Sequence, residues 1–362
     1  MSKSMEDYIR ETAQVVKENI KSRKRLTSAF CAWFKGSQLT VVASGSSYNA
    51  AVMAVPFIKK YTDIQVEVLT PFTFTYSDEE PKRESSYVFV SQSGCSTNVL
   101  EALRKYQKAG GEAVAIVGNL DSTIGKKADS AMEYGVGEET VGYVTKGMNT
   151  LSLFFMLAAL ESRNAVLSQE QYENCIEELI NMADNHRYVY EQAKRFVLVH
   201  EKAFLSMQHI YMMGSEANRG AVLEGALKTG EMVHVQTSTY EAEEFIHGPN
   251  LQLTPEYTLF FMDSGDKAGV RIRDIYKASK EVTDHTFLIS VTGKNGDENC
   301  LDFSSQKQTG DAVAGFYLVA FFQYLSYWVS KELHIEVEHP LLDRFDERIP
   351  SKTEDYSETV PF

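Results

Sequence analysis

The chain has 362 residues, of which 43 % are hydrophobic and 24 % charged, enough for two domains with ordinary cores. A formal net charge of -14 argues against nucleic-acid or anionic-membrane partners, which need a basic face, so any anion bound here must be held locally. The opening "MSKSMEDYIRETAQ" has no apolar signal-type core, and Cys31, Cys95, Cys175 and Cys300 lie far apart with no C-x-x-C and no His at metal spacing. A cytoplasmic protein with free thiols and no metal is the expectation.

In chain order, residues 4–35 read as helical, "QLTVVAS" as a strand, "SYNAAVMAVPFIKKY" as a helix, and "QVEVLT" and "YVFVSQS" as strands. "STNVLEALRKYQKAG" is a helix closing on glycine, and "EAVAIVGN" a further strand. "LSLFFMLAALESRN" and the helix after it connect to a second half with the same plan. There "HIYMMGSEANRGAVLEGALKTGE" is strand, turn and helix, "YTLFFMDSG" strand and turn, "VRIRDIYKASKEV" helix, and "TFLISVTG" strand. Such βαβ alternation predicts an α/β fold of parallel sheets with helices on both faces. Gly45 and Ser215 are 170 positions apart, and Gly94 and Gly265 are 171 apart, so two turns recur at nearly one offset and a duplicated unit follows. The apolar stretch Ala312 to Val329 carries no charge over 18 residues, the lower edge of a membrane span. Its Gly315, Gln323 and Ser326, and its solitary place in the chain, favour a helix buried in a core or subunit contact.

In a parallel α/β sheet the ligand site lies beyond the carboxyl ends of the strands, where helix N-termini present unpaired N–H groups. "SQSGCST" supplies hydroxyls from Ser91, Ser93, Ser96 and Thr97, the Gln92 amide, and Gly94 for close backbone approach. "ASGSSYNA" supplies Ser44, Gly45, Ser46 and Ser47 in the same half. Phosphate suits both, although Ser96 or Thr97 also suits an ordinary N-cap. His186 and His234 have no partner in the sequence and read as structural, and Cys95 as inert.

Taken together, "ASGSSYNA", "SQSGCST", "GALKTGE" and "EFIHGP" resemble, in order and spacing, the tandem sugar isomerase (SIS) domains of the isomerase half of glucosamine-6-phosphate synthase. The resemblance covers nearly the whole chain. It implies two flavodoxin-like three-layer αβα domains, with a helical segment at 1–38, a first domain at 39–165, connecting helices at 166–199, a second domain at 200–335 and a tail at 336–362. It implies that Ser46, Ser47, Ser91, Gln92, Ser93 and Ser96 hold the phosphate of a 6-phosphosugar. Glu231 would move a proton between C1 and C2 beside Lys228, and His247, acting in the neighbouring subunit of a homodimer, would open the sugar ring. Lys146 matches a Thr-Lys segment near the substrate, and Glu244 a Glu that orients its loop. No metal or organic cofactor is implied. The residue types agree: proton transfer next to a carbonyl needs one carboxylate reaching both carbons, and ring opening needs a group that titrates near neutrality.

The departures narrow the reaction. The first SIS strand begins by residue 39, which leaves no room for a glutaminase domain, and Lys352 is the one Lys in an end segment, "RFDERIPSKTEDYSETVPF", unlike the synthase tail with its Schiff-base Lys. Ile246 stands before His247 where the synthase has Lys. The chain therefore looks like the stand-alone deglycases that split fructosamine 6-phosphates into glucose 6-phosphate and an amine. An isomerase or deaminase joining fructose 6-phosphate, glucosamine 6-phosphate and free ammonia is the alternative within enzymes. A non-catalytic sugar-phosphate sensor is the alternative of another class, although the first 38 residues make roughly one helix, too little for a three-helix DNA reader.

Overall fold

The structure, a computed structural model, describes residues 3–78, 80–293, 296–304, 307–335 and 340–356. The chain divides into two units, one made of Met1–Ser4, Gln14–Asn174 and Glu338–Phe362, the other of Met5–Ala13 and Cys175–Val337. The described tail residues 340–356 fall in the first of these units, and helix Met5–Lys21 has residues in both.

The first unit is built on β1 (Gln38–Ala43), β2 (Gln65–Leu69), β3 (Ser85–Ser91), β4 (Val114–Val117) and β5 (Ser130–Glu133). Their order is β2-β1-β3-β4-β5 and every pairing is parallel. β1, β3 and β4 are continuous apolar runs because helices cover both faces, whereas the edge strands β2 and β5 are half exposed. The second unit repeats this with β6 (His209–Gly214), β7 (Gln236–Glu241), β8 (Tyr257–Asp263), β9 (Thr286–Ser290) and β10 (Cys300–Asp302), in the order β10-β9-β8-β6-β7, again all parallel. Read from the other edge, that is the same topology, with the first strand of each unit between the second and third. Both are α/β sheets flanked by helices, as the duplicated turns predict.

Among the described residues one helical stretch, Asp311–Glu332, is long and apolar enough to cross a membrane, and 94 % of its apolar window is buried inside the protein. Its close packing is visible at Gly225, where an added Cβ would meet the Phe322 ring at 2.7 Å. The residues expected to be helical from 4 to 35 form three helices, Met5–Lys21, Arg23–Leu26 and Ser28–Trp33. All four cysteines are free thiols.

Candidate active site

In a sheet of this strand order the crevice opens where the first and third strands send their connections to opposite faces, so the turns after β1 and β3 flank it. Gly45 (φ 55°) and Gly94 (φ 64°) occupy the left-handed region at those turns, which favours glycine. At Gly94 space imposes the same choice, because a Cβ would lie 1.9 Å from the Ser122 Oγ.

Two helices begin at these turns, Gly45–Tyr61 and Thr97–Lys108, with Ser44 and Ser96 as their N-caps, and neither serine caps its helix with its side chain. Ser96 Oγ lies 3.0 Å from Ser91 Oγ, and Ser44 Oγ accepts a hydrogen bond from Asn98 Nδ2 at 2.9 Å, which ties one turn to the other. Ser93 Oγ accepts the Cys95 N–H at 3.2 Å, and Ser46 and Ser47 are buried in the first helical turn. The ordinary capping role considered for Ser96 is therefore not the one it fills. The Ser91 and Ser96 hydroxyls thus meet, with Ser44 and Ser93 on the same two turns, so hydroxyls line the mouths of two helices, a setting suited to an anion.

Gln92 and Lys146 are placed differently. Gln92 Nε2 donates to Glu139 Oε2 at 2.6 Å and its Oε1 accepts from the Tyr134 hydroxyl at 2.9 Å, so its amide anchors the loop inward. Lys146 is buried and its Nζ donates to the Glu138 carbonyl at 2.7 Å. Glu139, which sequence reasoning did not single out, organises this corner. Its carboxylate accepts the backbone N–H groups of Thr145 (3.1 Å), Lys146 (2.7 Å) and Gly147 (2.9 Å), acting as an internal anion at the start of helix Lys146–Glu161. Burial nevertheless pushes its pKa above the ordinary carboxylate value, with these donors and Gln92 pulling the other way. Gly147 lets Gln92 reach it, since a Cβ there would fall 1.7 Å from the Gln92 Oε1.

The equivalent crevice in the second unit is filled from within. Asp263, fully buried, accepts Gly265 N–H (3.0 Å) and Ser290 Oγ (3.0 Å) and pairs with Arg273. The Ser215 hydroxyl donates to Asp266. Carboxylates thus stand where the first unit offers hydroxyls, and repulsion disfavours a second anion there.

What the second unit offers instead lies on helix Arg219–Val233. Lys228 is 1 % exposed, with its Nζ 2.7 Å from Glu231 Oε2 and 3.5 Å from Glu224 Oε1. Glu224 is fully buried and balances the buried ammonium, while the Glu231 side chain keeps 35 % of its surface open to solvent. A carboxylate oriented by a fixed ammonium and reachable from outside can take and return a proton. Glu224 was also missed in the sequence, although its place four residues before Lys228 on the same helical face was a usable signal. His247 is exposed, just after the helix Ala242–Phe245, and no hydrogen bond or ion pair links its ring to Glu231. Glu244 is exposed beside it, and its carbonyl accepts the His247 N–H at 3.2 Å. His234 is the left-handed C-cap of the Glu231 helix (φ 59°), and His186 is sealed in the core, which gives both a structural place.

Residues 34–160 match the SIS domain family. Among curated relatives, the glutamine–fructose-6-phosphate aminotransferase [isomerizing] of Clostridium tetani is 24 % identical over 313 residues, covering 84 % of this chain and 51 % of that protein. The chain therefore spans about half the length of such relatives. Among solved structures, a protein of Clostridium difficile 630, provisionally described as a phosphosugar isomerase, superposes with a TM-score of 0.87 at 23 % identity, covering 97 % of this chain and 99 % of that one. The C-terminal domain of glucosamine-fructose-6-phosphate aminotransferase from Francisella tularensis gives 0.79 at 22 % identity, covering 94 % and 99 %. At these identities the structural likeness establishes a shared fold.

Proposed function

We propose that this chain, whose residues 34–160 match the SIS domain family, is an enzyme acting on a 6-phosphosugar, and specifically a fructosamine-6-phosphate deglycase. The names of its relatives, built around fructose 6-phosphate and phosphosugars, support the substrate class. Ser44, Ser46, Ser47, Ser91, Ser93 and Ser96 are assigned to the phosphate, and Gly45 to the close approach of the backbone. Gln92 and Lys146 support that loop from behind.

The observation that carries the reading is the Lys228–Glu231 pair, one buried ammonium holding one reachable carboxylate at 2.7 Å. Glu231 takes the proton from C1 of the open-chain ketosamine, the C–H electron pair forms the C1=C2 bond, and the C2 carbonyl oxygen takes a proton from water to give the enaminol. Return of the Glu231 proton to C2, with the N–H proton passing to water, leaves a C1=N imine. Water then adds at C1 and the amine departs with a proton, leaving glucose 6-phosphate. The nitrogen arrives with the substrate, so this sequence asks the protein for an anchored phosphate, one proton shuttle and water. His247 is assigned to ring opening in the site of a second copy, which makes the working form a homodimer or a larger assembly of such dimers.

The test is a coupled assay for glucose 6-phosphate release from a panel of fructosamine 6-phosphates, with glucosamine 6-phosphate turnover and ammonia followed in parallel. Release from the panel is expected. Turnover of glucosamine 6-phosphate alone overturns the deglycase in favour of a deaminase or isomerase, and silence with tight binding leaves a sensor. Glu231→Gln is expected to lower kcat about 10²–10⁴-fold while glucose 6-phosphate still binds.

A further inference from the structure

The segment after helix Pro340–Arg348 lies along the serine-rich loop of the first unit. The Pro350 carbonyl accepts the Thr97 hydroxyl at 2.9 Å, and the Ser351 carbonyl accepts the Thr97 N–H at 3.1 Å. Lys352 pairs antiparallel with Ser96, and the Thr353 N–H donates to the Cys95 carbonyl at 2.8 Å. Beyond it, Asp355 accepts hydrogen bonds from Thr123 and Thr353, each at 2.6 Å. The backbone is thus pinned on both sides of Lys352. Its Nζ sits 3.4 Å from Ser93 Oγ and 5.1 Å from the centre of the Tyr356 ring, so the ammonium is aimed at the serine-rich loop from a fixed base.

The loop itself, "SQSGCST", contains neither Lys nor Arg, and the protein carries a net charge of -14. A phosphoryl dianion held there by hydroxyls and helix N-termini alone would keep most of its charge uncompensated. We infer that Lys352 supplies that charge, contacting the phosphoryl oxygens beside Ser93, so that the tail makes the site selective for phosphorylated sugars. This rests on the reading that the loop holds the phosphate. It assigns Lys352 to the phosphate end of the substrate, away from the carbonyl at which a lysine imine would form.

The test is calorimetric titration of the full chain and of Lys352→Gln and Lys352→Arg with glucose 6-phosphate, inorganic phosphate and unphosphorylated glucose, alongside kcat and KM on the substrate found above. Lys352→Gln is expected to weaken both phosphate probes about 10–100-fold, the worth of a charge-assisted contact, and to raise KM far more than it lowers kcat. Lys352→Arg is expected to restore most of the affinity, and any glucose binding to stay unchanged. Wild-type affinity in Lys352→Gln overturns the inference alone, as does a kcat collapse with unchanged KM or a borohydride-trapped sugar adduct on Lys352. Failure of the wild type to bind either phosphate probe overturns the functional reading and this inference with it.

Discussion

His186 ties the stability of the fold to pH. Its ring is wholly buried in helix Gln169–Val199, edge-on to Phe316 with the ring centroids 6.2 Å apart, and neither ring nitrogen makes a hydrogen bond of ordinary geometry among the described residues. Burial holds its pKa down at about 3, against an ordinary value of 6.5, although the neighbouring Gln323 side chain pulls the other way. The unfolded chain therefore binds this proton between pH 6.5 and about 3 while the folded chain does not, so stability is complete above 6.5 and falls as the pH drops through that window. At about 1.4 kcal/mol per pH unit, moving from pH 6.5 to pH 5 removes about 2 kcal/mol through this residue. His186→Leu replaces the ring with an apolar side chain and removes the coupling. Urea unfolding of both proteins at pH 7.5, 6 and 5 should show the wild type losing about 2 kcal/mol more than the variant by pH 5, with the variant at least as stable at pH 7.5. Equal losses in the two proteins would mean that the histidine is already protonated or hydrated in the folded state, and that burial does not couple it to pH.

Other consequences follow from the site. Gly94→Ala should cost about 1–2 kcal/mol from its left-handed conformation and more from displacing Ser122, lowering Tm and weakening glucose 6-phosphate binding together in calorimetry. Glu139→Gln should destabilise the protein by about 1–3 kcal/mol in urea titrations, since any placement of the new NH₂ turns a donor toward backbone N–H or Gln92 donors. The wild type should also lose stability as pH rises from the ordinary carboxylate value through the raised pKa of Glu139, because the folded chain keeps that proton longer, and the variant should lack this segment.

The strands covered on both faces are the plainest in the sequence, and one edge strand, β2, is legible beside them through the alternation of "QVEVLT". β1, β3, β4, β6, β8 and β9 are apolar runs bounded by turns, and all of them are legible. β5 ("SAME"), β7 ("QTSTYE") and β10 ("CLD") escape notice because these edge strands are either very short or polar and so carry no apolar run. The candidate site divides the same way. Ser44, Ser91, Ser93 and Ser96 announce themselves because a helix mouth built of small hydroxyl residues is a local pattern, and Lys228 with Glu231 because they lie three apart on a helix.

The duplicated α/β plan, the glycine turns and the hydroxyl-rich helix mouths are all local properties, since each depends on residues adjacent in the chain. Which way Gln92 points, that Glu139 fills the start of a helix seven residues on, and that Asp263 and Asp266 occupy the second crevice emerge from the folded chain. So does the meeting of Lys352 with a serine 259 positions earlier. Those outcomes turn on which donors and charges meet across the fold, and side chains far apart in sequence carry no local signature of the partner that will satisfy them.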